Sequence, residues 1–105
     1  MRDGRVRRAY LGVVGGRRPL APRHVASVRQ PGGVGVIEVA AGSPAERSGL
    51  RPTDTIVAVD GAPIESAGDL QRLMVSDAIG RTLHLRVLRG DAIVELDVVP
   101  SELTD

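Results

Sequence analysis

Residues 42–61 read GSPAERSGLRPTDTIVAVDG. Nearly every position in this stretch carries a local signal. Ser43 is a helix N-cap, Pro44 suits the first helical position, and Glu46 stands three residues after Ser43 as in a capping box. Gly49 suits the left-handed residue that stops a helix, so the helix between is very short. Thr55 to Asp60, TIVAVD, is β-branched and apolar and predicts a strand. Asp60-Gly61 predicts a turn.

Toward the N-terminus, Val34 to Ala40, VGVIEVA, predicts a strand. Arg17 to Gly33 contains Pro19, Pro22, Pro31, Gly32 and Gly33 and reads mostly as loop, with one or two helical turns over Pro22 to Val28. Ala9 to Val14, AYLGVV, predicts a short strand ended by Gly15-Gly16. Toward the C-terminus, Ser66 caps a helix predicted over Ala67 to Ser76. Thr82 to Arg89 places Leu83, Leu85 and Val87 in alternation, Gly90-Asp91 makes a turn, and Ala92 to Val99 returns as the partner strand until Pro100. No internal repeat is visible. The expectation is a mainly β domain with two helices, a partly open antiparallel barrel of five to six strands. Residues 1–8 read as an Arg-rich lead-in, 9–100 as the domain and 101–105 as a tail.

Composition narrows the function classes. The 105 residues include 15 Val, 10 Leu and 5 Ile, no Phe, no Trp and one Tyr, so the core is aliphatic and aromatic base-stacking surfaces are excluded. There is no Cys, which removes disulfides, thiolate metal sites and thiol catalysis. His24 and His84 lie in unrelated segments and suggest no metal site. No apolar run reaches the ~18 residues of a membrane span, and MRDGR has no signal-peptide core. All 14 basic residues are Arg; eight of them fall in positions 1–30 against one acid, Asp3. Such an arm can bind nucleic acid or anionic lipid, but it has no basic helical face and only Tyr10 nearby, and reads as a solvated stretch.

Four stretches in order resemble a PDZ domain, of the type appended to HtrA-like trypsin-fold serine proteases. They are Arg8-Ala9-Tyr10-Leu11-Gly12-Val13; residues 42–50, GSPAERSGL; residues 52–61, PTDTIVAVDG; and Asp69-Leu70-Gln71-Arg72-Leu73 with Gly80 and Leu88-Arg89-Gly90 beyond it. The resemblance implies a carboxylate-binding loop at Tyr10-Leu11-Gly12-Val13, with the N–H groups of Leu11, Gly12 and Val13 as donors and Arg8 adding a positive field. Gly12 is expected to let the chain bend and approach a ligand without a Cβ. Val13, Val14 and Gly15 would pair with an incoming peptide strand. The opposite wall would be the helix from Ala67. At about 100° per residue, Ala67, Gln71 and Met74 share one face, while Leu70 and Leu73 turn toward the core. Met74 would floor the pocket for the last ligand side chain, with Leu11 and Val13. Ala67 stands where many eukaryotic members carry a His, which predicts an apolar or indifferent preference there. Two departures stand out: Thr53 replaces the usual Gly before Asp54, and Arg17 to Gly33 carries no family motif.

No catalytic arrangement is visible. Ser43 and Ser66 read as caps, Asp54 and Asp60 as turn carboxylates, and Gly32-Gly33-Val34-Gly35 leads into a strand rather than a phosphate-binding helix. No cofactor and no metal are expected. The resemblance implies a peptide-binding module of an HtrA-like serine protease, which captures C-terminal peptides or unfolded polypeptides with an apolar last residue by β-augmentation and regulates an upstream protease domain. The alternatives are a PDZ domain of another bacterial protease or secretion component, or a structural or nucleic-acid-binding domain using the Arg-rich arm. No specific nucleic acid is expected, and membrane contact only through an anchor in a parent protein. The resemblance implies a periplasmic, cell-envelope or membrane-anchored extracytoplasmic setting; a cytoplasmic one is compatible with the sequence.

Overall fold

A computed structural model describes residues 7–103. The remainder of the Arg-rich lead-in and the last two residues lie outside the described residues. Short strands with tight turns assemble in the order β1 (Ala9–Tyr10), β2 (Val13–Pro19), α1 (Pro22–Val28), β3 (Gly32–Val39), α2 (Pro44–Ser48), β4 (Thr55–Val59), β5 (Ala62–Pro63), α3 (Ala67–Leu73), a 3₁₀ turn (Ser76–Ala78), β6 (Leu83–Arg89), β7 (Ala92–Val98) and β8 (Ser101–Glu102). The main sheet is antiparallel with path β2-β3-β4-β6-β7, and β5 pairs with β4; β1 and β8 form a separate ribbon. The sheet is curved but not closed, so β2 is left at an open edge.

The sequence pattern explains the interior. In β6, Leu83, Leu85 and Val87 are buried while His84 and Arg86 face water. Val34, Val36, Ile56, Val59, Leu85, Val87 and Val98 join Leu70 of α3 in one aliphatic core. Each such side chain contributes about 1.5–3 kcal/mol when fully buried. Asp60-Gly61 turns with positive φ at both residues (50° and 82°), the I′ geometry that suits strand twist. Ser43 Oγ accepts the Glu46 N–H as the sequence reads, while Glu46 Oε1 accepts the Gly42 N–H, one residue before the cap, and the Ser43 N–H donates to Ala40 O.

The one or two helical turns expected over Pro22–Val28 form as a seven-residue helix, which brings the α-helices to three. Several other expectations need correction. The run from Ala9 to Val14 is broken at Leu11-Gly12, where Gly12 has φ +91°. Gly15-Gly16 does not end a strand: β2 runs on to Pro19, and β3 starts at Gly32. Glycine faces glycine there. A Cβ at Gly15 would lie 2.4 Å from the Gly35 carbonyl oxygen, so the missing side chains permit the close pairing. Helix α3 stops at Leu73, with Met74 as its C-cap. The chain also continues past Pro100 into β8, whose register sets Ser101 opposite Tyr10.

Thr53 keeps the positive φ (78°) of the glycine it replaces. Its N–H donates to Val36 O (2.8 Å), and its carbonyl accepts from Arg18 Nη1 (2.9 Å). Beside it, Asp54 is fully buried and takes both Nε and Nη2 of Arg89 at 2.8 Å, plus the Arg51 N–H at 2.9 Å. Burial alone would raise the Asp54 pKa. The bonds from Arg89 and the Arg51 N–H, with the charges of both arginines, outweigh it and hold the carboxyl below its ordinary value.

Two outcomes follow from this turn. Thr53→Gly, at an exposed side chain in a left-handed backbone, is expected to raise stability by about 1 kcal/mol, read as a higher melting temperature. A depressed carboxyl pKa stabilises above the unfolded value of about 3.9 and is lost as pH falls through the folded value. Urea midpoints should therefore fall steeply below about pH 4, and Asp54→Asn should flatten that dependence while lowering stability at neutral pH.

Candidate peptide groove

Between the start of β2 and helix α3 lies an open groove of about 870 Å³, within the size range of ligand sites. One wall is Leu11, Gly12, Val13 and Gly15; the other is Ala67, Gln71 and Met74. Ser66 Oγ accepts the Asp69 N–H and starts α3, and the Asp69 carboxylate accepts the Glu65 N–H (3.0 Å) in return. That bond, with Arg72 and the Ser66 N–H adding to it against the opposing effect of desolvation, keeps the Asp69 pKa below its ordinary value. Leu73 is half-buried against the core and away from the groove, but Leu70, buried at 7% exposure, lines the groove as well as the core, so the helical period separates the two faces only in part. Met74 also packs on the core edge, so it joins floor and interior.

The closed end of the groove is built by backbone bonds. Ala9 N–H reaches the Met74 carbonyl (3.3 Å), and Leu103 N–H reaches the Arg8 carbonyl (2.8 Å). Leu11 O accepts from Ala45 N–H (2.9 Å), and Gly12 O accepts from Ala40 N–H (2.8 Å). The N–H groups of Leu11 and Gly12 find no acceptor among the described residues. The Gly12–Ala40 bond makes the next pair, Val13 opposite Val39, a non-bonded one, so the Val13 N–H points away from β3. At the other end of β2, Leu20 N–H donates to Pro31 O (2.9 Å). Alternation from there aims the polar backbone of Gly15 and Arg17 outward as well. Three donors therefore gather at the head of an unpaired edge.

The groove brings together Arg8, Tyr10, Leu11, Gly12, Val13, Gly15, Ala67, Gln71 and Met74. Val14 is the exception. It lies in the pairing strand, but its side chain is 57% exposed on the far face, beside Ile37 at 67%. Gly12 has a further reason to be bare. Its φ of +91° makes the bend expected of it, and a Cβ on it would stand 2.2 Å from Ser43 Cβ and 2.6 Å from Ser43 Oγ, so its bareness also admits the α2 cap. Leu11 is both core, at 5% exposure, and groove wall. The sequence reading missed Val75 and Leu103 on the rim, since nothing in a periodic pattern marks a residue after a helix or beyond a terminal Pro. Cations in the lining are Arg7, bound to Glu102 (3.0 Å), Arg8, and Arg72, bound to Asp69. No Asp or Glu lines the groove among the described residues. His24 and His84 each pair with an aspartate, Asp91 and Asp97, away from it.

The PDZ domain family matches residues 10–99. The serine endoprotease DegS of Escherichia coli K12 is 34% identical over 104 residues, covering 97% of this chain and 29% of that protein. The relative named "Probable periplasmic serine endoprotease DegP-like" of Chlamydia muridarum is 32% identical over 103 residues, 96% of this chain and 20% of that protein. The chain thus spans under a third of these relatives. Among solved structures, the HtrA3 PDZ domain bound to a phage-derived ligand, FGRWV, has a TM-score of 0.71 at 28% identity, covering 92% of this chain and 88% of that one. The HtrA-type protease AlgW with a decapeptide has a TM-score of 0.76 at 25% identity, covering 94% of this chain and 30% of that one.

Gly12→Ala is expected to destabilise the fold by about 2–4 kcal/mol, the combined cost of strained φ and overpacking against Ser43. Gly42→Ala, at φ +73° with open space around it, should cost about 1–2 kcal/mol. Urea denaturation compares the two; equal losses would remove the Ser43 contact as the reason for Gly12.

Proposed function

Because this chain belongs to the PDZ family and is a binding module of the kind carried by HtrA-type proteases, we propose that it captures the apolar C-terminus of a polypeptide by adding it as a strand to β2. The observation that supports this most directly is the set of unengaged N–H groups at Leu11, Gly12 and Val13, at the closed end of an apolar groove. A terminal carboxylate accepts from those donors, and Arg8 adds long-range attraction. The peptide backbone then pairs with the outward groups of Val13 and Gly15. The last side chain enters between Leu11, Val13 and Met74, where an unbranched thioether adapts to several apolar shapes. Ala67 leaves the ligand position two residues earlier without a selective hydrogen bond. The ligand of the HtrA3 domain ends in Val, in keeping with such a pocket.

The whole protein's role follows the same family. An attached serine endopeptidase domain would be switched or supplied with substrate by peptide capture here. The periplasmic naming of relatives supports an extracytoplasmic setting. Among the described residues, no helix is long and apolar enough to cross a membrane.

Calorimetry with FGRWV and its C-terminal amide tests the assignment. Charge-assisted bonds are worth about 1.5–3 kcal/mol, so the free acid should bind about 10- to 150-fold tighter. Met74→Ala should weaken binding of the acid while the domain remains folded. Equal affinity of acid and amide would refute the carboxylate loop.

A further inference from the structure

We infer that Arg17 is a second charge-reading position, selecting an acidic side chain four residues before the ligand's last residue. The inference rests on the strand-addition reading above. Arg17 pairs with Val34, a residue of the groove lining, and it follows Val13 and Gly15 at two-residue steps along β2. Side chains two apart share a face, so Arg17 leaves the strand on the groove side. Arg18, on the other face, is committed to Thr53 O (2.9 Å) and Thr55 Oγ1 (3.2 Å). Arg17 is exposed and, unlike Arg7, Arg23, Arg72, Arg81 and Arg89, holds no carboxylate among the described residues.

The spacing fixes the register. From Val13 to Arg17 the edge advances by about 13 Å, four strand residues. A peptide whose carboxylate sits at Leu11–Val13 advances equally along the same edge, so its fifth residue from the end lies opposite Arg17. That residue's side chain projects to the same face as its partner's, as in any antiparallel pair. Arg17 stands just beyond the groove lining, which carries Arg7, Arg8 and Arg72 and no acid among the described residues. The guanidinium offers a planar fork that a Glu carboxylate matches with two hydrogen bonds. The groove thus measures the distance between two negative charges, the terminal carboxylate at one end and a side chain at the other.

Two acetylated octapeptides provide the test, Gly-Ser-Gly-Glu-Gly-Ala-Leu-Val and the same chain with Gln in place of Glu, each with a free C-terminus. Titration at low ionic strength is expected to show the Glu peptide binding about two- to fivefold tighter, the range of an exposed ion pair. Arg17→Gln should abolish that ratio and leave the Gln peptide's affinity unchanged. A ratio that persists in Arg17→Gln, or no ratio in the unaltered domain while both peptides bind, overturns the role of Arg17 and leaves strand addition standing. Binding of neither peptide, or equal binding of their C-terminal amides, counts against the strand-addition reading itself, and the role of Arg17 falls with it.

Discussion

The buried ion pair between Asp54 and Arg89 holds the structure at the point where its layers meet. Asp54 accepts from both Nε and Nη2 of Arg89 and from the Arg51 N–H, while Arg89 Nη2 also reaches the carbonyl of Gly49. One carboxylate thereby joins the end of α2, the turn into β4 and the end of β6. Burying a charge is costly, and the cost is met here because every oxygen has a partner in good geometry. The arginine keeps 27% of its side chain in water, which lessens its own desolvation. Replacing either partner alone strands the other, so the pair is a constraint on geometry more than a source of net stability.

From this anchor the ordering passes to the groove through short contacts. Helix α2 is fixed at its C-terminal end by Arg89 and at its N-terminal end by the Ser43 cap. The same Ser43 side chain fills the space where a Gly12 Cβ would be, and the Ala45 N–H binds the Leu11 carbonyl. The backbone that carries the proposed carboxylate donors is therefore seated on α2. Donors that are already aimed cost little reorganisation on binding. The opposite wall is seated separately, by Leu70 in the core and by the Met74 carbonyl that receives the Ala9 N–H.

How much of this is legible in the sequence depends on how local its cause is. The caps at Ser43 and Ser66, the stop at Gly49 and the turn at Asp60-Gly61 are written within four or five residues and appear in the structure as read. The alternation of β6 is equally local. The long course of β2 is not, because Gly15, Gly16 and Pro19 look like breakers until Gly32, Gly33 and Gly35 are seen across from them. Asp54 reads as a turn residue, since its partner lies 35 positions away. The site residues on β1, β2 and α3 rest on a family resemblance and a helical period, not on local signals. The same period sets Leu70 apart from Met74, whereas both line the groove and both touch the core, and it gives no warning that Gly12 answers to Ser43. Arg17 lies in a stretch that reads as loop, and its place on a strand shows only once β2 extends through it.

An unpaired β2 edge has a second consequence, for solubility. A strand that offers N–H and C=O groups to any passing backbone invites another copy of the same chain as readily as a ligand. The usual protections, a covering helix or a bulge on the edge strand itself, would also bar the peptide, so they are unavailable along Val13 to Arg17. What remains is charge and proline at the far end: Arg17, Arg18 and Pro19 follow one another where the edge runs out. Two copies pairing antiparallel along the whole edge would set Arg17 of each near Val13 of the other, so like charges would meet only in a parallel or shifted pairing. Pro19 has no N–H to offer in any register, so the edge loses a donor where it runs out and a pairing with its own kind is shortened there.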